Sequence, residues 1–252
     1  MINFFRKIRK KLADDNKPLK YMRYAIGEIV LVVVGILIAL QVNDWNTNRT
    51  ERATEKDYID RLAKELSDEI DYYKNVRDQF ISKEKSLNRI IIVWQSNSSI
   101  LRDSLQYIND FNSAGDISSW YSEPITWTQL VQSGELKLIR NQQLIDALFI
   151  YFNDVKKIAN NYRMHPMELT NRARDSWQYP FINENPEILF QSLSSEFEKK
   201  PNNIVFERIW NKRTEYLDLF MPLSFSCRIQ HFHIQNNIDS GQLLLEQLKS
   251  FE

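Results

Sequence analysis

The chain has 252 residues, with 33 Lys/Arg against 33 Asp/Glu and a single cysteine, Cys227. One thiol excludes an intramolecular disulfide, so the fold has to stand on its core. Beyond the amino terminus there is no basic patch or stripe, which excludes a nucleic-acid binder.

Residues 1–23 carry eight Lys/Arg against Asp14 and Asp15. Phe5, Ile8 and Leu12 share one helical face, with Ile2 and Phe4 nearby. Two readings stand: a helix lying on an anionic leaflet, or a basic tail that only sets topology.

Residues 24–42 predict a transmembrane helix. From Ile29 to Leu40 there is no polar side chain. At about 1.5 Å per residue the segment reaches roughly 28 Å, close to the hydrocarbon thickness of a bilayer. The basic flank puts the amino end in the cytoplasm and the rest of the chain outside it. A cleaved signal peptide fits poorly. Its basic region would be shorter, its apolar core would be 7–15 residues, and Ala39-Leu40-Gln41 makes a poor cleavage site. Glu28 is the one ionisable residue of the span. Either it lies one turn inside the cytoplasmic edge, within reach of water, or it marks a helix–helix contact. Gly35 and Ala39 form a small-xxx-small pair that lets two backbones approach. Glu28, Gly35 and Ala39 are the candidate transmembrane contact residues. Trp45 follows where an interfacial aromatic belongs.

Residues 43–252 hold 25 Lys/Arg and 30 Asp/Glu, a formal net of −5. They are enough to bury a core, and five of the six tryptophans lie between Trp94 and Trp210. Glycine is too scarce for an all-β domain of this size. Ile59, Leu62, Leu66, Ile70, Tyr73, Arg77 and Phe80 follow a three-four rhythm, with Val76 beside it, and Leu87, Ile90, Ile91 and Trp94 extend it. This predicts one long helix from about Thr50 to Gln95, open to continuity with the span. A polar loop at Ser96–Ser99 and a short helix to about Phe111 follow. Thr126 reads as the cap of a helix over Trp127–Ser133, with Gly134 as its stop. Asn141 reads as the cap of the next, with Leu144, Leu148, Tyr151, Phe152 and Val155 on one face. Pro166–Pro201 reads as short helices and loops. Phe206 to Phe220 predicts a helix ending at Pro222. Phe225, Ile229 and Phe232 define another, and Leu243, Leu244 and Leu248 close the chain. The fold class is all-α: one amino-terminal span, then a long helix and an extracytoplasmic helical bundle.

The runs Tyr24-Ala25-Ile26-Gly27-Glu28-Ile29 and Val34 to Asn46 resemble the opening of an uncharacterised family of single-pass membrane proteins from Bacteroidota. The Phe4–Arg9 run and, more loosely, Thr126-Trp127 with Ser133–Ile139 are similar too. The resemblance implies a Gram-negative inner membrane, hence a periplasmic domain, and implies no activity.

A search for chemistry finds no phosphate-binding glycine loop, no Gly-x-Ser-x-Gly elbow and no His-Glu-x-x-His. Cys227 and His231 stand four apart on one helix face, as metal ligands can, but no further ligand is signalled. His165-x-x-Glu168 has the reverse of a di-iron order. Asp60, Glu65, Asp68, Glu69 and Asp71, interleaved with Arg61, Lys64 and Lys74, read as a solvated helix face. Trp127, Gln129, Glu135, Lys137 and Arg140 cluster around Gly134 and line either a ligand groove or a tight helix corner. No catalytic residue, cofactor or metal is expected. The expected role is an anchored interaction or scaffold module that meets the lipid bilayer and an envelope protein or a second copy. The alternative is a ligand-binding, sensor-like domain acting through a membrane partner.

Overall fold

In the computed structural model the described residues are 18–96, 104–118, 121, 124–164, 166–177 and 203–250. The amphipathic reading of the first twelve residues, most of the loop after Ser96, His165 and the prolines from Pro180 to Pro201 lie outside them. Seven α-helices are formed among the described residues, with no strand: α1 Pro18–Ser96, α2 Ser104–Ser113, α3 Ile125–Ser133, α4 Gln142–Met164, α5 Pro166–Arg174, α6 Asn203–Asn211 and α7 Arg213–Lys249. A 3₁₀ turn, Glu135–Leu138, follows α3. The all-α expectation holds, and the long helix is continuous with the apolar segment before it.

Two compact units divide the chain at Asp57/Tyr58, inside α1. In the first unit, α1 exposes every side chain from Ile29 to Val42. Its most apolar 18-residue window has a mean hydropathy of 2.6, and none of that window is buried within the chain. By length and composition this helix can cross a membrane. After the apolar run the helix turns polar. Arg49 lies over the Trp45 ring, 5.9 Å from its centroid. Thr50 and Thr54 bond back to the carbonyls four residues earlier. Arg52 pairs with Glu55 at 3.0 Å.

The second unit is built on the remainder of α1. Ile59, Leu62, Leu66, Ile70, Tyr73, Val76, Phe80, Leu87, Ile90 and Trp94 are buried along one stripe, as the rhythm predicts. Each neighbouring element is tied to it. Glu65 holds α3. The Phe80 ring meets Tyr162 of α4 edge-on. Lys83 donates to Thr170 of α5. Arg89 grips Asp110 of α2 through two bonds of 2.6 and 2.8 Å. Arg77, which sits on the stripe's edge, donates to Gln235 of α7 at 2.6 Å. The far end is an aromatic cluster in which Trp94, Phe111, Tyr216 and Phe220 interlock.

Three expectations change. First, the cap of α3 is not Thr126. Pro124 is the cap residue and has no side-chain bond to offer; the carboxylate of Glu65 accepts from the backbone N–H groups of Ile125 and Thr126 instead. A carboxylate there satisfies orphan donors and opposes the helix dipole. Gly134 does stop the helix, at φ 72°, the left-handed region that glycine tolerates. Asn141 caps α4 as read, accepting from Leu144 N at 3.0 Å.

Second, Pro222 does not end a helix. The break falls ten residues earlier, at Lys212, and α7 runs through Pro222. Proline removes one helical bond and costs about 3 kcal/mol in a helix interior. Pro222 is exposed, while Leu219, Phe220 and Leu223 around it are buried. Burial of those flanks holds the helix together across it.

Third, Phe225, Ile229 and Phe232 do not define a helix of their own but lie within α7, and they are not on its buried side. Phe225 and Phe232 are 61% and 59% exposed. The side of α7 that meets the core presents Leu223, Cys227, Gln230, Ile234, Asn237, Ile238 and Gly241.

Residues 50–252 without the span are expected to fold as a helical domain. Circular dichroism of that fragment should show a strong double minimum of helical type. A strand-dominated spectrum would refute the fold.

Candidate functional site

Three regions stand out in the second unit, two of them gathering polar groups and one apolar. The first lies where α1 meets α3. Tyr58 hydrogen-bonds to the Glu135 carboxylate and accepts from Gln129. Arg61 donates to Gln129 Oε1 at 2.8 Å and lies over the Tyr58 ring. Trp127 is buried and stacked on Phe152 of α4. The cluster read around Gly134 is therefore a helix corner for Trp127, Gln129 and Glu135. Lys137 and Arg140 face solvent.

The carboxylates of α1 divide. Asp60, Asp68 and Asp71 are exposed, as read, but Glu65 and Glu69 are not part of a solvated face. Glu65 is spent on α3. Glu69 lines a cleft of about 760 Å³ with Tyr72, Tyr121 and Pro124. Its Oε1 accepts from the Tyr73 hydroxyl at 2.5 Å, while Oε2 is buried with no hydrogen-bond partner. Burial pushes the carboxyl up to about 7; the Tyr73 bond opposes this and nearby Glu65 adds to it. The Tyr151 hydroxyl of α4 is also buried and unpartnered, and burial and the charge of Glu69 raise its pKa. That hydroxyl lies where Gly241 leaves room: a Cβ at Gly241 would stand 3.1 Å from it and 3.2 Å from Ile70.

The second region is the seam between α1 and α7. Glu84 accepts from Arg228 at 2.7 Å and pairs with His231 at 2.9 Å. Burial alone would raise the Glu84 carboxyl; the bonds from Arg228 and His231 outweigh it and hold the pKa below the ordinary value. Ser224 donates to Asn88 at 2.7 Å. Beside the seam Lys83 is 5% exposed. It donates to the Asp116 carbonyl at 2.8 Å and to Thr170 at 3.1 Å. Burial lowers its ammonium to about 8. Cys227 is buried next to it, and burial pushes the thiol up to about 11. A neutral, enclosed thiol is a poor nucleophile and a poor ligand. The shared helix face of Cys227 and His231 thus serves packing at one position and a hydrogen bond to Glu84 at the other. Among the described residues no three His, Cys, Asp or Glu side chains converge as a metal-binding group.

The third region is the outer side of α7. Met221, Phe225, Ile229 and Phe232 fall within one narrow stripe at helical spacing, and all are exposed. Asn88 touches Ser224 and Gln95 touches Met221. Ile92 of α1, 64% exposed between them, extends the patch. Toward the carboxyl end the same helix borders a groove of about 800 Å³ against α4.

The transmembrane candidates are placed by the helix alone. Gly35 and Ala39 are exposed and Glu28 is half-buried. Their spacing puts all three within one narrow sector of α1. No atom lies within 4 Å of a Cβ added at Gly35.

No family model, curated protein or solved structure matches the chain.

Two outcomes follow for this region. Glu65→Ala should destabilise the 50–252 fragment by about 1–2 kcal/mol, the usual cost of losing a helix cap, read from urea unfolding. Glu69 has a raised folded pKa. Its contribution to stability is complete below the ordinary carboxyl range and is lost as pH rises through about 7. The fragment should therefore melt lower at pH 8 than at pH 5.5. Glu69→Gln should remove much of that slope and melt higher than wild type at pH 8. Parallel melting curves for the two proteins would rule the assignment out.

Proposed function

We propose that the protein is a membrane-anchored interaction module. In this reading residues 1–23 lie in the cytoplasm, residues 24–42 cross the inner membrane, and residues 43–252 form a periplasmic domain. The basic flank before the span supports the orientation. The resemblance of the Tyr24–Ile29 and Val34–Asn46 runs to a family of single-pass Bacteroidota proteins supports the compartment. The domain binds another envelope protein or a second copy of itself.

The observation that carries this reading is the apolar stripe Met221, Phe225, Ile229 and Phe232, with Ile92 beside it. Two phenylalanines exposed one above the other are costly to leave in water. Contiguous exposed apolar surface marks an interaction site more often than chance decoration. The residues nearest to a motif-bearing active site meet in the α1–α7 seam and are committed to the fold there. His231 is bound to Glu84, Cys227 is enclosed, and Lys83 is buried on a carbonyl and a hydroxyl.

A second reading, a ligand-binding domain acting through a membrane partner, is favoured by one specific observation. Buried polar atoms without partners flank the Glu69 cleft and the α4–α7 groove.

The test is made in cells on the intact chain. A photo-reactive residue at Phe225 should give one discrete crosslinked product, and the same residue at exposed Asp146 should give none. A reporter active only in the periplasm, fused after Glu252, should be active. Absence of a Phe225-specific product would overturn the interaction reading. Activity solely from a cytoplasm-dependent reporter would overturn the orientation.

A further inference from the structure

The groove between α4 and α7 has a polar floor that the fold itself leaves unserved. Gln230 and Asn237 each line it and each are only 5% exposed. Gln230 Oε1 and Asn237 Nδ2 have no hydrogen-bond partner. More than nine in ten buried polar groups in folded proteins find a partner, and each orphan costs on the order of 1–3 kcal/mol. Here a residue with an orphan acceptor and one with an orphan donor stand two turns apart on one helix and both line one groove.

The other lining residues say what would fit. Asn161, Asn236 and Gln247 add three more carboxamides. Ile150 and Leu243, 65% and 64% exposed, and Ile229 supply apolar contact along the rim. Asp154 and Lys157 offset each other in charge. A neutral wall rich in carboxamides offers donors and acceptors in equal measure. A peptide backbone in extended form presents the same pair of groups, unpaired, at every residue. A helix does not, because its backbone groups are already bonded internally. A sugar would want an exposed aromatic face, and the rings that line the groove are the buried phenol of Tyr151 and the imidazole of His233.

Length agrees. α4 and α7 run antiparallel here, since Tyr151 meets Gly241 while Tyr162 lies by Cys227. The groove follows α4 from Ala147 to Asn161 and α7 from Ile229 to Gln247. At about 1.5 Å per residue those stretches are roughly 21 and 27 Å long. An extended chain at about 3.3 Å per residue fills them with roughly six to eight residues.

The geometry points to a binding site for a short, extended, uncharged peptide segment of a partner protein, held by carboxamide-to-backbone hydrogen bonds from Gln230 and Asn237. This rests on the interaction reading and names the chemistry of what is bound. The groove shares Ile229 with the exposed stripe but is not lined by Phe225, so a crosslink at Phe225 can stand even if this site fails.

The test uses the full chain in lipid nanodiscs, with empty nanodiscs as the blank. The probe is the blocked peptide Ac-Ser-Leu-Ala-Ser-Leu-Ala-NH2 carrying a fluorophore, read by polarisation. Its partner probe has the same side chains with alternate backbone nitrogens methylated, which removes donors but keeps apolar surface. The parent peptide should bind at least about tenfold more tightly than the methylated one. Gln230→Met with Asn237→Leu should weaken parent binding at least about tenfold without lowering the melting temperature, because each change deletes an orphan. If that double variant does not fold, Ile150→Glu with Leu243→Glu on the exposed rim should abolish binding in a folded protein. Equal binding of the two peptides would reduce the groove to a greasy surface. No binding of the parent peptide at about millimolar concentration, or binding unchanged in a folded variant, would leave the orphan amides to water alone and end the proposal.

Discussion

The buried stripe of α1 from Ile59 to Trp94 is the constraint on which the second unit depends. A single helix face some ten apolar residues long cannot be covered by one neighbour. It needs α7 along much of its length and α4, α5, α2 and the start of α3 at successive levels. Polar bonds set the register at each level: Glu65 to α3, Arg77 to Gln235, Lys83 to Thr170, Glu84 to Arg228, Arg89 to Asp110. These bonds contribute little energy where they are exposed. Their value is positional, since sliding α7 by one turn would strand Glu84 and Asn88 together.

What the sequence reveals of this follows from periodicity. The α1 stripe and the α4 face are legible because each has one apolar side and one charged side. α7 is not legible in that way. It carries two apolar stripes, and the one with the larger side chains, Phe225 and Phe232, is the one left outside. Its buried side mixes Leu223, Cys227, Ile234 and Ile238 with Ser224, Ser226, Gln230, Asn237 and Gly241. Small side chains let α7 lie close to α1 and α4, and close packing of small residues carries no hydropathy signal. The Glu65 cap is hidden for another reason. It joins residues 60 positions apart in the chain, and capping rules look only at local neighbours. Pro222 misleads because the rule against interior proline is a local cost, whereas the outcome is set by the burial of Leu219, Phe220 and Leu223.

The candidate sites are legible only as residue types. Glu69 looks like any other carboxylate on a charged face until Tyr73, Tyr121 and Tyr151 close around it. Gln230 and Asn237 look like surface amides. Their burial reverses the usual logic of a core: Lys83, Glu69, Gln230 and Asn237 each cost stability that apolar residues of like volume would not.

Gly241 carries the last consequence. Its missing side chain is the space into which the Tyr151 hydroxyl and Ile70 project. The three positions lie on three different helices, so their sizes form a closed sum. A homologue with alanine at the first should be found with phenylalanine at the second or valine at the third. Such paired replacement would be a record, written in diverged sequences, of α1, α4 and α7 touching at that level.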